Sequence, residues 1–124
     1  MKVRIAGNSI RFRLKQPEVA VFQQQGKLTE VTAFGPEPAD QLRFVLEASS
    51  VPELTVRFEA GTTTVRVPRE LALQWTETEL VGFSGKADTG KGGQVDVLVE
   101  KDFACLDAPE EDNIGAYPNP NAAC

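Results

Sequence analysis

Residues 63–75 read Thr-Thr-Val-Arg-Val-Pro-Arg-Glu-Leu-Ala-Leu-Gln-Trp, and this stretch holds the pattern that decides the fold. Its two valines alternate with polar residues, which is typical of a β-strand with one buried face. Pro68 then opens a helix, where a missing backbone N–H does no harm. Leu71 and Trp75 lie four positions apart and share one face of that helix. The stretch therefore predicts a strand followed directly by a short helix that packs on the sheet.

The same plan occurs near the start of the chain. Residues 10–14 (Ile-Arg-Phe-Arg-Leu) alternate in the same way, and a proline-marked helix and a further strand follow. At one constant offset, Arg13 corresponds to Arg66 and Phe22 corresponds to Trp75. This similarity predicts an internal strand–helix–strand duplication. The alternative is that any strand–helix–strand unit in a small α+β fold needs similar residues at its helix ends and turns.

Alternating runs at residues 2–6, 27–34, 41–46, 54–59, 78–84 and 95–99 predict the remaining strands. Clean alternation fits sheets with one buried and one wet face, and the connections are short for parallel crossovers. We therefore predict an α+β fold: a mostly antiparallel β-sheet or partial barrel with two short helices. The apolar phase of these elements predicts a core of Phe12, Phe44, Phe58, Val65, Leu71, Trp75 and Phe83.

Length and composition are those of one globular domain, with 124 residues, 41% hydrophobic and 25% charged. We predict a single β-rich domain over residues 1–101 and an irregular tail over residues 102–124. No apolar run approaches the roughly 20 residues of a membrane span, and the alternating start is not a signal peptide. With Cys105 and Cys124 as the only cysteines, we expect a cytoplasmic protein with free thiols and no membrane partner. A bridge that pins the tail is the alternative.

Charge is unevenly distributed along the chain. Thirteen bases and eighteen acids give a net charge of −5, yet residues 1–15 hold five bases and no acid. In an extended hairpin these bases crowd one face, and like charges across strands destabilise it. Two arrangements can neutralise such a face: acids from neighbouring strands or an anionic partner. The surplus of acids in the rest of the chain favours the first. The residues predicted to bind that partner are Arg4, Arg11, Arg13 and Lys15.

Several motifs point away from catalysis. Residues 85–92 nearly match a phosphate-binding loop, but Gly92 replaces the hydroxyl residue and a strand follows instead of a helix. We predict a mobile hairpin connection that binds no nucleotide. The chain has no histidine, which excludes Ser–His and Cys–His catalysis. The acids at positions 107 and 110–112 lack metal-ligand spacing, so we predict a solvated acidic tail, no metal and no cofactor.

These observations favour a non-enzymatic binding or interaction module. The first alternative is a nucleic-acid-binding regulator that uses the basic N-terminal strands, although the overall acidity disfavours broad nucleic-acid binding. The second is an enzyme or binder for a phosphorylated ligand that uses strand arginines, such as Arg11, Arg13, Arg43, Arg57 and Arg66. The sequence specifies neither a partner protein nor an oligomeric state.

Two resemblances add to this interpretation. Residues 1–14, 99–106 and 117–120 together resemble a family of small uncharacterised bacterial proteins, carried as a domain of unknown function. That resemblance implies a bacterial cytoplasmic protein and assigns no functional residues.

The second resemblance is to swapped-hairpin antitoxins and transition-state regulators, and it rests on residues 7–14 and 64–71. In that family a Gly-Asn-Ser turn precedes a strand, and Pro-Lys/Arg-Glu-Leu opens a helix. Those proteins bind DNA as intertwined dimers, so the resemblance implies two copies within one chain, forming a pseudo-dimer. The first copy departs from the pattern, with Lys-Gln-Pro-Glu at residues 15–18.

Overall fold

The computed structural model describes residues 1–105 and 108–119. Within them the strands are β1 (Lys2–Ala6), β2 (Ser9–Leu14), β3 (Lys27–Ala33), β4 (Gln41–Ser49), β5 (Thr55–Glu59), β6 (Thr62–Pro68), β7 (Gly82–Gly90) and β8 (Gly93–Lys101). The helices are α1 (Gln16–Gln25), α2 (Arg69–Glu77) and α3 (Glu110–Asn113), and a 3-10 turn covers Pro38–Asp40. Both predicted proline-marked helices are present, and Gly26 ends α1 in the left-handed conformation with its N–H donated to the Phe22 carbonyl oxygen at 2.8 Å.

The chain consists of two halves with the same element order, and the halves exchange hairpins. Each half is a hairpin, a helix and a second hairpin: β1–β4 with α1, then β5–β8 with α2. Sheet A has the strand order β1-β2-β8-β7, and sheet B has the order β3-β4-β6-β5. Each sheet therefore takes one hairpin from each half. The two halves are thus intertwined within one chain.

The predicted α+β class is confirmed, with one refinement. The outer pairs of both sheets are antiparallel, as predicted, but the central pairs β2–β8 and β4–β6 are parallel. There are accordingly two mixed sheets where the sequence indicated one mostly antiparallel sheet or a partial barrel. The parallel pairs arise because hairpins from different halves meet side by side, and not from a crossover between consecutive strands.

The registers of the two sheets correspond position by position. Arg13 of β2 lies opposite Glu100 of β8 in sheet A, and Arg66 of β6 lies opposite Glu47 of β4 in sheet B. The offset that relates Arg13 to Arg66 also relates Glu47 to Glu100. The described strands thus support the predicted internal duplication, and extend it to the strands that flank the strand–helix–strand unit.

The core lies between the sheets and under the two long helices. The rings of Phe22 and Trp75 meet edge to face with centroids 6.1 Å apart, and Trp75 meets Phe83 at 5.5 Å. The Trp75 indole N–H donates to the Val81 carbonyl oxygen at 3.1 Å, which satisfies its one buried donor. Of the predicted core residues, Leu71 packs partly buried against this cluster, and five are buried: Phe12, Phe44, Val65, Trp75 and Phe83.

The prediction that Phe58 belongs to the core is wrong, because its side chain is 69% exposed. Phe58 has the expected inward phase, but it lies on the edge strand β5 just before a tight turn. Ile5 holds the corresponding position on β1 and is 62% exposed. This position is therefore left uncovered in both sheets.

The glycine-rich stretch is mostly strand, which corrects the prediction of a loop over residues 85–92. β7 runs through Gly90, and the turn into β8 consists of Lys91 and Gly92, both with positive φ (53° and 79°). β7 also begins later than predicted, at Gly82 instead of Thr78. The mobility of the turn stays a prediction.

The segment after β8 folds back onto the start of α1. The Gln16 backbone N–H donates to the Gly115 carbonyl oxygen at 2.9 Å, and its side-chain amide donates to the Ala116 carbonyl oxygen at 3.1 Å. Phe103 pairs with Tyr117 in an isolated parallel bridge. In the described part of the chain, no helix has the length and apolar character needed to cross a membrane.

Cys105 forms a disulfide bond, which corrects the expectation of a free thiol at this position. The other cysteine of the chain, Cys124, lies outside the described residues. So does Asp107 of the predicted acidic tail.

Candidate functional site

The β1–β2 hairpin places its bases together on the surface that faces away from the core. In its register Lys2 lies opposite Arg13, and Arg4 lies opposite Arg11. Side chains alternate along a strand, so the buried Phe12 holds the opposite face of β2. Gly7 takes a positive φ of 53° in the turn and allows the tight reversal that creates this register.

β8 brings one acid between two of these bases. Arg11 Nε lies 2.6 Å from Glu100 Oε1, and Arg13 Nε lies 3.0 Å from the same oxygen. The Glu100 side chain is only 17% exposed, which limits the screening of these contacts by water. One carboxylate thus holds two guanidinium groups that would otherwise repel each other.

Two further ion pairs lie at opposite ends of this surface. Lys2 Nζ is 2.9 Å from Oδ2 of the buried Asp102, and Lys86 Nζ is 3.0 Å from Asp96 Oδ1. The Lys2 contact is a charge contact without hydrogen-bond geometry, and Asp102 Oδ2 has no hydrogen-bond donor within the described residues. Neutralisation of the bases by neighbouring strands, the outcome that the sequence favoured, is thus extensive but incomplete.

Arg4 is the base that this neutralisation leaves out. It is exposed, and its guanidinium makes no ion pair or hydrogen bond with the described part of the chain. We call the outer surface of sheet A the basic face, defined by Lys2, Arg4, Arg11, Arg13 and Lys86. Three acids lie among these five bases, namely Asp96, Glu100 and Asp102.

A cleft of about 690 Å³ opens on the basic face. Guanidinium forks match planar oxyanions, and hydroxyls add neutral hydrogen-bond donors. The cleft can therefore hold an anionic group and orient it, and the acid in its lining, Asp96, is already in an ion pair with Lys86. Its polar lining consists of Arg4, Ser9, Arg11, Ser84, Lys86 and Asp96, and its apolar lining includes Ile10 and Leu98.

Two of the predicted anion-binding residues line the cleft, and two do not. Arg4 and Arg11 line it, whereas Arg13 borders an adjacent hollow of about 160 Å³ together with Lys2. β2 ends at Leu14, so Lys15 does not continue the strand. Lys15 instead precedes α1, and its backbone N–H donates to Glu18 Oε1 at 2.9 Å.

The five strand arginines of the phosphorylated-ligand hypothesis do not converge. Arg43, Arg57 and Arg66 belong to sheet B, whereas Arg11 and Arg13 belong to sheet A. The structure therefore divides these arginines between two sheets, and binding of a phosphorylated ligand by the arginines of either sheet stays a prediction.

Sequence reasoning missed the far wall of the cleft. Ser84 and Lys86 lie on β7 within or beside the stretch that was predicted as a loop. Alternation over residues 84–88 (Ser-Gly-Lys-Ala-Asp) was the available signal, but the glycines obscured it.

Lys101 and Tyr117 form a second polar cluster, below the basic face at the end of β8. The buried Lys101 Nζ donates to the Thr78 carbonyl oxygen at 2.7 Å and lies 5.6 Å from the centre of the Tyr117 ring. Burial lowers the pKa of Lys101, and the charge of Glu79 partly opposes that shift. Burial also raises the pKa of Tyr117. This cluster lies where the C-terminal segment covers the start of α1.

The fold and its cleft define a class: a small α+β protein of two intertwined repeats, with a basic cleft on one sheet. The chain belongs to the family described as "Family of unknown function (DUF7009)", which matches residues 1–121. No curated protein and no solved structure matches the chain.

Proposed function

We propose that this protein is a binding module that holds an anionic ligand in the cleft of the basic face. One observation carries the proposal: the exposed Arg4 has no acid partner among residues 1–105 and 108–119, and it lies beside Arg11 in the lining of a cleft of about 690 Å³. The cleft offers groups that bind and orient an anion. We assign no catalytic residue, since the lining contains no pair of groups arranged for acid–base work.

The corresponding arginine of sheet B shows why Arg4 matters. Arg57 holds the position on β5 that Arg4 holds on β1, and its Nη2 lies 2.8 Å from Glu59 Oε2. At the position of Glu59, β1 has Ala6. The absence of an acid at this one position leaves the Arg4 charge available to a ligand.

Tripolyphosphate is a suitable probe, because it carries several oxyanions and no base or sugar. We expect calorimetric binding at low salt that Arg4→Ala and Arg11→Ala each weaken by about tenfold, the effect of losing one good charge-assisted contact. Arg57→Ala is the matched control, and its affinity should stay within about twofold of the parent. Equal losses in Arg4→Ala and Arg57→Ala would show diffuse charge attraction and would contradict a site in the cleft.

A second candidate is the nucleic-acid-binding regulator. The exchanged hairpins favour it, since intertwined copies are what the resemblance to DNA-binding regulators implies. The net charge of −5 opposes it. The test is binding to duplex DNA at low and moderate salt, for the parent and for the Arg11→Ala, Arg13→Ala double variant. Steeply salt-dependent binding that disappears in the double variant would favour the regulator. No binding at low salt would exclude it.

The bacterial origin and the cytoplasmic location are proposals as well. The disulfide of Cys105 argues against the cytoplasm, because disulfides persist mainly in oxidising compartments. Thiol counting on protein that has been acid-quenched in its native cells decides the point. Two free thiols per chain would support the cytoplasm.

A further inference from the structure

A groove of about 500 Å³ lies between the end of α1 and the start of α2. Leu73 on its rim is 50% exposed and adds to the apolar lining. Two bases, Lys27 and Arg69, line the same groove. Glu47 also lines the groove, but its ion pair with Arg66 at 3.3 Å offsets its charge, so Lys27 and Arg69 give the groove a basic character. The apolar lining includes Phe22, Ala48, Ala72 and Leu73.

The internal duplication supplies a counterpart of this groove, between the start of α1 and the end of α2. In that counterpart Gln16 corresponds to Arg69, and Lys101 corresponds to Ala48. The chain itself covers one end of this counterpart, at Gln16 and Lys101. Gln16 donates to the Gly115 and Ala116 carbonyl oxygens, and the Tyr117 ring lies over Lys101 Nζ. One of two related grooves is thus partly covered by the segment that follows α3 and places Tyr117 over Lys101.

We propose that the open groove binds an extended segment of a partner protein, which presents an aromatic side chain and acidic neighbours. The aromatic ring sits over Ala48, where the smaller side chain leaves more room than Lys101 does in the covered groove. α2 begins after Pro68 without a side-chain cap, so its first-turn N–H groups can donate to a carbonyl of the segment. Lys27 and Arg69 attract the acids. This site is separate from the cleft of the basic face, and either can fail alone.

The chain's own covering segment is the probe, since residues 110–119 carry acids followed by a tyrosine (Glu-Glu-Asp-Asn-Ile-Gly-Ala-Tyr-Pro-Asn). A fluorescein-labelled peptide of this sequence is titrated with the full chain, and fluorescence anisotropy is measured. We expect saturable binding. Replacing the tyrosine of the peptide by alanine should weaken binding by about tenfold, because a buried aromatic ring supplies much of the affinity of a short segment.

Leu73→Arg is the variant that closes the groove, and it should also weaken binding by about tenfold. Val31→Arg is the matched control, since Val31 is similarly exposed (46%) but lies on β3 of sheet B. It should leave the affinity unchanged. Absence of saturable binding at millimolar peptide would overturn the proposal. So would binding that survives Leu73→Arg but increases in a Tyr117→Ala chain, because the peptide would then be entering the groove that the tail normally covers.

Discussion

The outer surfaces of the two sheets share one pattern of charged residues, and they differ at a few positions. The shared positions indicate a structural role, and the differing positions indicate a functional one. Both keep an Arg–Glu pair across their parallel strands, Arg13 with Glu100 and Arg66 with Glu47. The pair therefore serves the fold, since both sheets keep it at corresponding positions. Sheet A adds Arg11 where sheet B has Thr64, and it omits the acid that neutralises Arg57. These two differences mark the basic face as the specialised surface.

The largest loss of stability is expected in the core where the two halves meet, because neither half forms a sheet alone. Phe22→Ala removes a ring that is 1% exposed and touches Trp75 from the other half. It should lower the free energy of unfolding by about 3–5 kcal/mol. Urea unfolding followed by tryptophan fluorescence and by far-UV circular dichroism should remain one coincident transition. Two separate transitions would show that the halves fold independently.

The next effect sharpens the comparison between the two Arg–Glu pairs. Glu100→Gln leaves Arg11 and Arg13 side by side without a counter-charge, and it should cost about 1–2 kcal/mol. Glu47→Gln disturbs one half-exposed pair at 3.3 Å and should cost less than about 0.5 kcal/mol. Chemical denaturation of both variants measures the difference. Equal costs would mean that the shared carboxylate of sheet A adds nothing to stability.

A pH profile tests the polar cluster that only the second half possesses. Burial raises the pKa of Tyr117, so the folded chain holds this proton more tightly than the unfolded chain. The resulting stability is complete below the unfolded pKa and is lost as pH rises through the folded pKa. The lowered pKa of Lys101 acts in the opposite direction below its own unfolded value. The parent should therefore lose stability more steeply than Tyr117→Phe above about pH 10, and identical profiles would contradict the assignment.

The smallest effect is expected at Phe58, where both sheets leave the edge position uncovered. Phe58→Ala should change the free energy of unfolding by no more than about 0.5 kcal/mol, as is usual for exposed positions. Denaturant midpoints of this variant and of Ile5→Ala should agree. A loss as large as that of Phe22→Ala would mean that Phe58 is covered in solution, by another molecule or by a different packing of β5.

Local pattern was sufficient for the hairpins, both long helices and the glycine that ends α1, because those features depend on neighbours in sequence. It also placed Arg4 and Arg11 on one face. It could not place Glu100 beside Arg11 and Arg13, since that contact depends on a parallel register between strands from opposite ends of the chain. The exposure of Phe58 could not be predicted for a related reason. The alternation of a strand shows which way a side chain points, but not whether another element covers it.

The exchange of hairpins also sets the order in which the chain can fold. β2 finds its parallel neighbour only in β8, so the centre of sheet A joins residues separated by most of the sequence. Contacts of such high sequence separation slow folding, because the entropy of closing a long loop is lost before the contact stabilises anything. During synthesis β1 and β2 can pair with each other early, but the other edge of β2 lacks its partner until β8 emerges. The β2 edge of the basic hairpin that we assign to ligand binding therefore stays open until β8 is made, and the like charges of the hairpin help to keep this edge from associating with other chains meanwhile.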